Sequence, residues 1–127
     1  MKLKELIAKK AIQVVLKSKD KKGAITEMVQ AMSRAYEGEK IAVSDIVDAV
    51  MQREKIGSTG MGGGVAVPHA KIGGLKEVIG AFGRSPHGLD YGAVDGEAVH
   101  LIFLILSPPA KNEAYHKALR KIMGMIR

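Results

Sequence analysis

The strongest constraint on the fold is the apolar run of residues 98–106, Ala-Val-His-Leu-Ile-Phe-Leu-Ile-Leu, which only His100 interrupts. This run is far shorter than the ~20 residues that a membrane-spanning helix needs. Pro108 and Pro109 follow it closely. A short apolar run that ends at prolines predicts a β-strand, and the lack of polar alternation predicts a strand covered on both faces. We therefore expect an α/β fold, a single-domain sandwich whose mixed β-sheet is flanked by helices.

Hydrophobic periodicity predicts the elements that pack around this strand. Apolar residues with a period of two predict a strand at residues 12–16, and residues 65–67 and 78–82 predict two further short strands. Apolar stripes at helical spacing predict four helices, marked by Leu3, Leu6 and Ile7; by Ile25, Met28, Val29, Met32 and Tyr36; by Ile46, Val47, Val50 and Met51; and by Leu119, Ile122 and Met123.

Residue types at the ends of these stripes predict the helix boundaries. Ser18, Ser44 and Asn112 are predicted N-caps, because their side chains can accept hydrogen bonds from free backbone N–H groups. Gly38 and Gly57 are predicted to end the second and third helices.

The net charge of +7 comes from the two ends of the chain. Residues 1–22 and 111–127 carry the excess of lysine and arginine, and the sequence between them is mildly acidic. Aromatic residues make up only 4% of the chain, which leaves few platforms for base stacking. We therefore expect no nucleic-acid partner, although binding of nucleic acid through the basic ends of the chain is an alternative functional hypothesis.

Other classes of site are disfavoured by composition. The absence of cysteine excludes disulfides, thiolate metal sites and cysteine nucleophiles. The four histidines lack the close spacing of metal ligands, so no metal or cofactor is expected. No targeting segment precedes the domain, and a soluble cytoplasmic protein is the expectation.

Glycine is concentrated in residues 57–64, which hold five of the fifteen glycines. Successive glycine N–H groups can approach an anion closely, and the alternative is a flexible turn. The segment is not a Walker A loop, because no Gly-Lys-Ser/Thr follows. It also differs from a dinucleotide fingerprint, because a predicted strand follows it and not a helix.

His69 follows Pro68 at the end of the predicted strand after these glycines. One imidazole nitrogen can be held by a hydrogen bond while the other attacks as a neutral nucleophile. The alternative is a loop histidine without a role. Arg53 and Glu54 end the preceding helix, with a solvated helix end as the alternative, and His116 has the alternative of an exposed helical histidine.

Residues 53–71 closely resemble the active-site segment of the fructose/mannitol-type EIIA domains, the type-2 EIIA family. These domains belong to the bacterial phosphoenolpyruvate-dependent sugar phosphotransferase system and include nitrogen-regulatory EIIA proteins. The shared pattern is Arg-Glu, then Thr-Gly-x-Gly-x-Gly, a short apolar strand and Pro-His. The resemblance continues through Ala-Phe-Gly-Arg at 81–84, Leu-Asp-Tyr at 89–91 and Asp-Gly at 95–96, and ends at His116. Lys71 stands where arginine is common in the family.

The resemblance implies a phosphocarrier that takes a phosphoryl group on His69. It implies that His116 stabilises the phosphoryl group, that Arg53 contacts it, and that Thr59 borders the pocket together with the glycines Gly60, Gly62 and Gly64. The implied partners are HPr or its nitrogen-branch relative as donor, and an EIIB domain or a regulatory target as acceptor. The alternative is a non-enzymatic regulatory module whose partner binding depends on phosphorylation.

The resemblance also sets an expectation for the extent of the domain. Family domains continue through further helical sequence after the helix that carries the second histidine. Residues 1–127 are therefore expected to form one EIIA-like domain that lacks the C-terminal helical segment. Neither the sugar nor the choice between transport and regulation is identified by the sequence.

Overall fold

The computed structural model of the protein describes residues 14–126. The predicted first helix, with Leu3, Leu6 and Ile7, and the start of the first predicted strand lie outside the described residues. The described elements are the strands β1 (Val14–Val15), β2 (Gly60–Gly62), β3 (Val65–Ala66), β4 (His69–Lys71), β5 (Ile79–Leu89) and β6 (Val99–Ser107), and the helices α1 (Lys21–Ala35), α2 (Val43–Ile56) and α3 (Asn112–Ile126). A 3₁₀ turn, Pro109–Lys111, precedes α3.

The strand β6 is the centre of a mixed sheet with the order β1-β5-β6-β3-β2, and β4 also pairs with β6. The long β5 and β6 run antiparallel, whereas β3 and β4 are parallel to β6 and β1 is parallel to β5. The mixed sheet flanked by helices confirms the predicted fold class. The prediction of a strand at residues 78–82 was too short, because β5 continues to Leu89.

Helices cover both faces of β6, as its nearly continuous apolar sequence predicts. Ile102, Leu104 and Leu106 are buried in one core cluster with the apolar stripes of α1 and α2. Ile105, between them in sequence, is buried in a second cluster with Tyr115 and other residues of α3. Successive side chains of a strand point to opposite faces, so this alternation places α1 and α2 on one side of the sheet and α3 on the other.

All three predicted N-caps are wrong. Asp20, and not Ser18, caps α1 by accepting a 2.6 Å hydrogen bond from the Gly23 N–H group. Ser44 lies inside the first turn of α2, because the helix begins at Val43. Asn112 has helical geometry because the 3₁₀ turn brings the chain into α3 ahead of it.

The two predicted helix stops differ in outcome. Gly57 is the C-cap of α2, as predicted, with an extended φ of 173°. Gly38 does not end α1, which stops at Ala35 with Tyr36 as its C-cap. The hydroxyl of Tyr36 donates a 2.6 Å hydrogen bond to the carbonyl oxygen of Gly80 on β5. The Tyr36 side chain therefore docks on the sheet where the helix ends, three residues before Gly38.

Candidate active site

His69 is the first residue of β4 and lies opposite Ile105 of the central strand. The Ile105 N–H group donates a 3.0 Å hydrogen bond to the carbonyl oxygen of the buried Pro68. Proline fixes its own φ, so the backbone that enters His69 is restrained both by the ring of Pro68 and by the sheet. The half-buried imidazole is thereby presented from a rigid strand.

The Nδ1 atom of His69 lies 2.8 Å from the carbonyl oxygen of Val67. A carbonyl oxygen can only accept, so Nδ1 carries the proton in the neutral ring and Nε2 keeps its lone pair. Burial lowers the pKa of His69 below 6.5, the hydrogen bond to Val67 partly opposes this, and the positive charge of Arg53 lowers it further. The neutral form of the ring is therefore favoured, and in that form Nε2 carries the free lone pair.

A small cavity of about 150 Å³ opens beside this ring. Its lining residues come from α2, the chain around β2, the segment that enters β4, and α3: Arg53, Ser58, Thr59, Met61, Val67, His69 and Met123. The structure thus brings three of the predicted site residues, Arg53, Thr59 and His69, around one space. The sequence analysis missed Met123, because residues 69 and 123 meet only through the packing of α3.

Arg53 lies in the last turn of α2. One of its Nη atoms donates a 3.0 Å hydrogen bond to the carbonyl oxygen of Gly57, which closes the end of the helix. Guanidinium has five N–H donors in a planar fork, so the same group can bind further oxygen atoms. Arg53 therefore supplies a positive charge of fixed position beside His69.

His116 is exposed and does not line the cavity. Tyr115 contacts both histidines, with ring centroids 5.8 Å from His69 and 5.6 Å from His116. Burial raises the pKa of Tyr115 to about 12. The sequence reasoning missed this tyrosine, and the only signal for it was an aromatic residue on the predicted helix of a chain that has few.

The predicted glycine loop is in part a β-hairpin of β2 and β3. Gly62, Gly63 and Gly64 adopt positive φ angles of 89°, 65° and 81° at its turn. The Gly63 N–H group donates a 3.0 Å hydrogen bond to the carboxylate of Asp95. The anion that this turn binds is thus a side chain of the protein itself.

The predicted binding glycines Gly60, Gly62 and Gly64 do not line the cavity. Met61, which lies between Gly60 and Gly62 in sequence, does line it. Gly60 is buried, with its N–H group donating to the Ser58 hydroxyl and its carbonyl oxygen accepting from the Val94 N–H group. The carbonyl oxygen of Gly64 accepts hydrogen bonds from the first residues of β6. These glycines shape the turn beside the site.

Glu54 is buried, so a solvated helix end is the wrong interpretation of this residue. Its carboxylate accepts hydrogen bonds from the backbone N–H and the hydroxyl of Thr59, and from the Lys21 ammonium at 3.1 Å. Thr59 is also buried, and its hydroxyl lies 3.0 Å from that of Tyr91. The sequence analysis missed Lys21 and the internal use of the Thr59 hydroxyl.

Residues 14–126 contain no group of three or more histidine or carboxylate side chains that could hold a metal ion. Within the same residues, no helix has the length and apolar character needed to cross a membrane.

A family model, "Phosphoenolpyruvate-dependent sugar phosphotransferase system, EIIA 2", matches residues 5–127. The chain belongs to this EIIA 2 family. It is therefore related in sequence to components of a phosphotransferase system over nearly its whole length.

Two curated relatives have names that point to different functions. The chain is 36% identical over 126 residues to the PTS system fructose-specific EIIABC component of Bacillus subtilis. The matched residues make up 99% of this chain but only 20% of that protein. The chain is 35% identical over 127 residues to a nitrogen regulatory protein of Bradyrhizobium diazoefficiens, covering all of this chain and 81% of that protein.

Solved structures share the fold. The nitrogen regulatory protein IIA-Ntr of Neisseria meningitidis matches with a TM-score of 0.85 and 32% identity, over 94% of this chain and 80% of that one. The IIA domain for mannitol of Escherichia coli, solved in complex with phosphorylated IIB, matches with a TM-score of 0.67 and 18% identity, over 94% of this chain and 83% of that one. Both therefore share the fold of this chain.

Proposed function

We propose that this EIIA 2 domain is a phosphohistidine carrier in which Nε2 of His69 accepts the phosphoryl group. The hydrogen bond from Nδ1 of His69 to the Val67 carbonyl oxygen carries the proposal, because it leaves Nε2 unprotonated in a ring that lines the cavity with Arg53. The lowered pKa of His69 supports it, since only the neutral ring is a nucleophile.

The transfer exchanges one phosphorus–nitrogen bond for another. The Nε2 lone pair forms a bond to phosphorus while the bond to the donor histidine breaks and its electron pair returns to the donor nitrogen. The acceptor ring keeps its Nδ1 proton and gains the positive charge that a protonated donor ring loses, so no proton is released. The Val67 carbonyl stabilises this charge, and because similar bonds are exchanged the step is reversible.

Catalysis of such a transfer depends on positioning and on charge stabilisation. Arg53 would hold phosphoryl oxygens with the N–H groups of its planar fork. His116 would reach the phosphoryl group from the exposed side of the cavity as a hydrogen-bond donor. Thr59 would border the bound group, and the hairpin turn at Gly60, Gly62 and Gly64 would let a partner surface come close.

The family names the class of donor and acceptor for this proposal. We infer that HPr, or a nitrogen-branch relative of it, delivers the phosphoryl group, and that an EIIB domain or a regulatory target receives it. The mannitol IIA domain forms its solved complex with phosphorylated IIB, which supports an EIIB acceptor. A cytoplasmic location is part of the proposal, because phosphoenolpyruvate is a metabolite of the cytoplasm.

The second candidate function is a regulatory module whose partner binding depends on the phosphorylation of His69. Similarity to nitrogen regulatory proteins over the whole chain favours it. In that case the phosphoryl group is a signal and needs no EIIB acceptor. The same His69 chemistry serves both functions, so the acceptor alone separates them.

Phosphorylation in vitro tests the carrier function. The protein is incubated with phosphoenolpyruvate, enzyme I and either HPr or its nitrogen-branch relative, and acid-labile phosphate is measured. His69→Ala should abolish labelling, and the control His87→Ala, at an exposed position on β5, should retain it. Failure of both donors to label this chain, while a control EIIA domain is labelled, rejects the proposal.

Partner capture separates transport from regulation. Purified EIIB domains and cell extract are each offered to wild type, to His69→Ala and to His69→Asp, which imitates the charge of the phosphorylated state. Transfer of the labelled phosphoryl group from the wild-type protein to an EIIB domain supports transport. A purified target that binds His69→Ala and His69→Asp with different affinities supports regulation, and equal affinities count against it.

A further inference from the structure

The carboxylate of Glu54 is the centre of a buried polar network behind the cavity. The exposed fraction of its side chain is 2%, and that of its ion-pair partner Lys21 is 20%. Oε1 accepts from the Lys21 ammonium at 3.1 Å and from the Thr59 N–H group at 3.1 Å, while Oε2 accepts from the Thr59 hydroxyl. The charge of Glu54 is therefore paired and both of its oxygens are engaged.

The direction of the hydrogen bonds in this network is fixed by its chemistry. The single hydroxyl proton of Thr59 is given to the carboxylate, which can only accept. The Tyr91 hydroxyl, 3.0 Å from that of Thr59, must then be the donor. Burial raises the pKa of Tyr91, so the phenol keeps the proton that it donates. The relay runs from Tyr91 to Thr59 to Glu54.

The backbone of Thr59 links this network to the reactive histidine. Its carbonyl oxygen accepts a 3.0 Å hydrogen bond from the Val67 N–H group. The carbonyl oxygen of the same Val67 accepts the hydrogen bond from Nδ1 of His69. The N–H group of Val67 is thus positioned by Thr59, and the carbonyl oxygen of Val67 sets the tautomer of His69.

We propose that Glu54 is a positioning residue that acts through Thr59 and Val67 to hold His69 in its Nδ1–H tautomer. Its importance for phosphoryl transfer rests on the proposed function, whereas its effect on the tautomer does not. A buried ion pair is commonly no better for stability than apolar residues of the same volume. The pair of Glu54 with Lys21 is therefore better explained by the position that it gives to Thr59.

The tautomer is read from the ¹⁵N chemical shifts of the His69 ring, at a pH where the ring is neutral. Glu54→Gln is the central variant: its amide can accept from the Thr59 N–H group but presents N–H where the hydroxyl needs an acceptor. We expect a several-fold rise in the Nε2–H fraction in Glu54→Gln and in Thr59→Val. Thr59→Ser should restore the Nδ1–H tautomer, because it restores the hydroxyl.

Tyr91→Phe and Tyr36→Phe form a matched pair. Each removes one hydroxyl that makes a hydrogen bond inside the protein, but the Tyr36 hydroxyl bonds to Gly80 and not to the network. Tyr91→Phe should shift the tautomer and Tyr36→Phe should leave it unchanged. If Glu54→Gln does not fold, this pair and Thr59→Ser against Thr59→Val still decide the question.

Transfer kinetics form a second readout. In Glu54→Gln we expect the maximal rate of phosphoryl acceptance to fall about tenfold at unchanged half-saturating donor concentration, because the donor surface is intact. Wild-type tautomer fractions in all folded variants of Glu54, Thr59 and Tyr91 overturn the proposal. A tautomer shift in a protein that accepts no phosphate leaves Glu54 as a positioning residue and rejects the carrier function alone.

Discussion

Nδ1 of His69 and the carbonyl oxygen of Val67 are 2.8 Å apart, and this contact places the proton of the neutral ring on Nδ1. Only one residue, Pro68, lies between the partners in sequence. In the proposed carrier, the carbonyl would hold the proton on Nδ1 before transfer and would stabilise the positive ring after it. The tautomer of His69 is therefore set by the backbone of the segment that precedes β4.

We predict that His69 titrates below pH 6.5, because burial disfavours its charged form and the Arg53 charge adds to this effect. Phosphoryl acceptance should then persist as the pH falls below 6.5, until the ring is protonated. NMR titration of the His69 ring, compared with the protein unfolded in urea, measures the difference. A folded-state pKa at or above 6.5 contradicts the prediction.

The same shift has a consequence for stability. Below pH 6.5 the unfolded chain takes up a proton at His69 before the folded protein does, so the free energy of unfolding falls as the pH drops toward the folded-state pKa. Above pH 6.5 the ring is neutral in both states and makes no pH-dependent contribution. His69→Gln should therefore lose part of the acid sensitivity measured by urea unfolding between these two pKa values.

Arg53→Gln should lower the rate of phosphoryl acceptance about 100-fold, the effect of removing one preorganised charge donor. Arg53→Lys should lower it about tenfold, because a single ammonium replaces a planar fork. The rates are measured with labelled donor under single-turnover conditions. Lys55→Gln, which removes an exposed charge from the same last turn of α2, is the control and should change the rate less than either variant.

His116→Gln should slow phosphoryl acceptance and leave stability unchanged to within about 0.5 kcal/mol, because the side chain is exposed. His87→Gln, an exposed histidine on β5, is the matched control for both measurements. Equal rates for the two variants would show that His116 does not reach the phosphoryl group. Unfolding in urea and single-turnover kinetics on the same samples keep the two effects apart.

Lys21→Met should lower the free energy of unfolding by about 2 kcal/mol, because it leaves the buried Glu54 carboxylate without its counter-charge. The hydrogen bonds from Thr59 limit the loss. Lys111→Met is the control: its ion pair with Glu77 spans 3.9 Å between exposed side chains and should contribute about 0.5 kcal/mol or less. Similar losses in the two variants would contradict the prediction.

Gly64→Ala should lower the free energy of unfolding by about 1–2 kcal/mol. The φ of Gly64 is 81°, in the left-handed region, which is unfavourable for a residue that carries a Cβ atom. Gly57→Ala is the control, since its φ of 173° suits any residue and nothing lies within 4 Å of the added carbon. Thermal or urea unfolding of both variants measures the difference. If both variants lose the same free energy of unfolding, the backbone geometry at the hairpin turn is not the cause of the loss in Gly64→Ala.

Local patterns in the sequence predicted most of the fold. The nearly continuous apolar residues of β6 predicted a strand covered on both faces, and the helical stripes of α1 and α2 predicted the sides that are buried. These predictions succeeded because burial imposes a period that residues close in sequence carry by themselves. The predicted caps at Ser18 and Ser44 failed because the exact end of a helix depends on the neighbours that its first turn meets.

At the site, the sequence by itself predicted His69 as the nucleophile, since residues 53–71, which carry the resemblance to type-2 EIIA domains, are consecutive in the chain. Tertiary structure alone decided what surrounds it: the burial of Glu54, the hydroxyl relay from Tyr91, the carboxylate of Asp95 at Gly63 and the ring of Tyr115. Each of these contacts joins residues that are distant in sequence or depends on the packing of a helix on the sheet. No local period reports such contacts, because they form only when the whole fold brings residues from separate elements together.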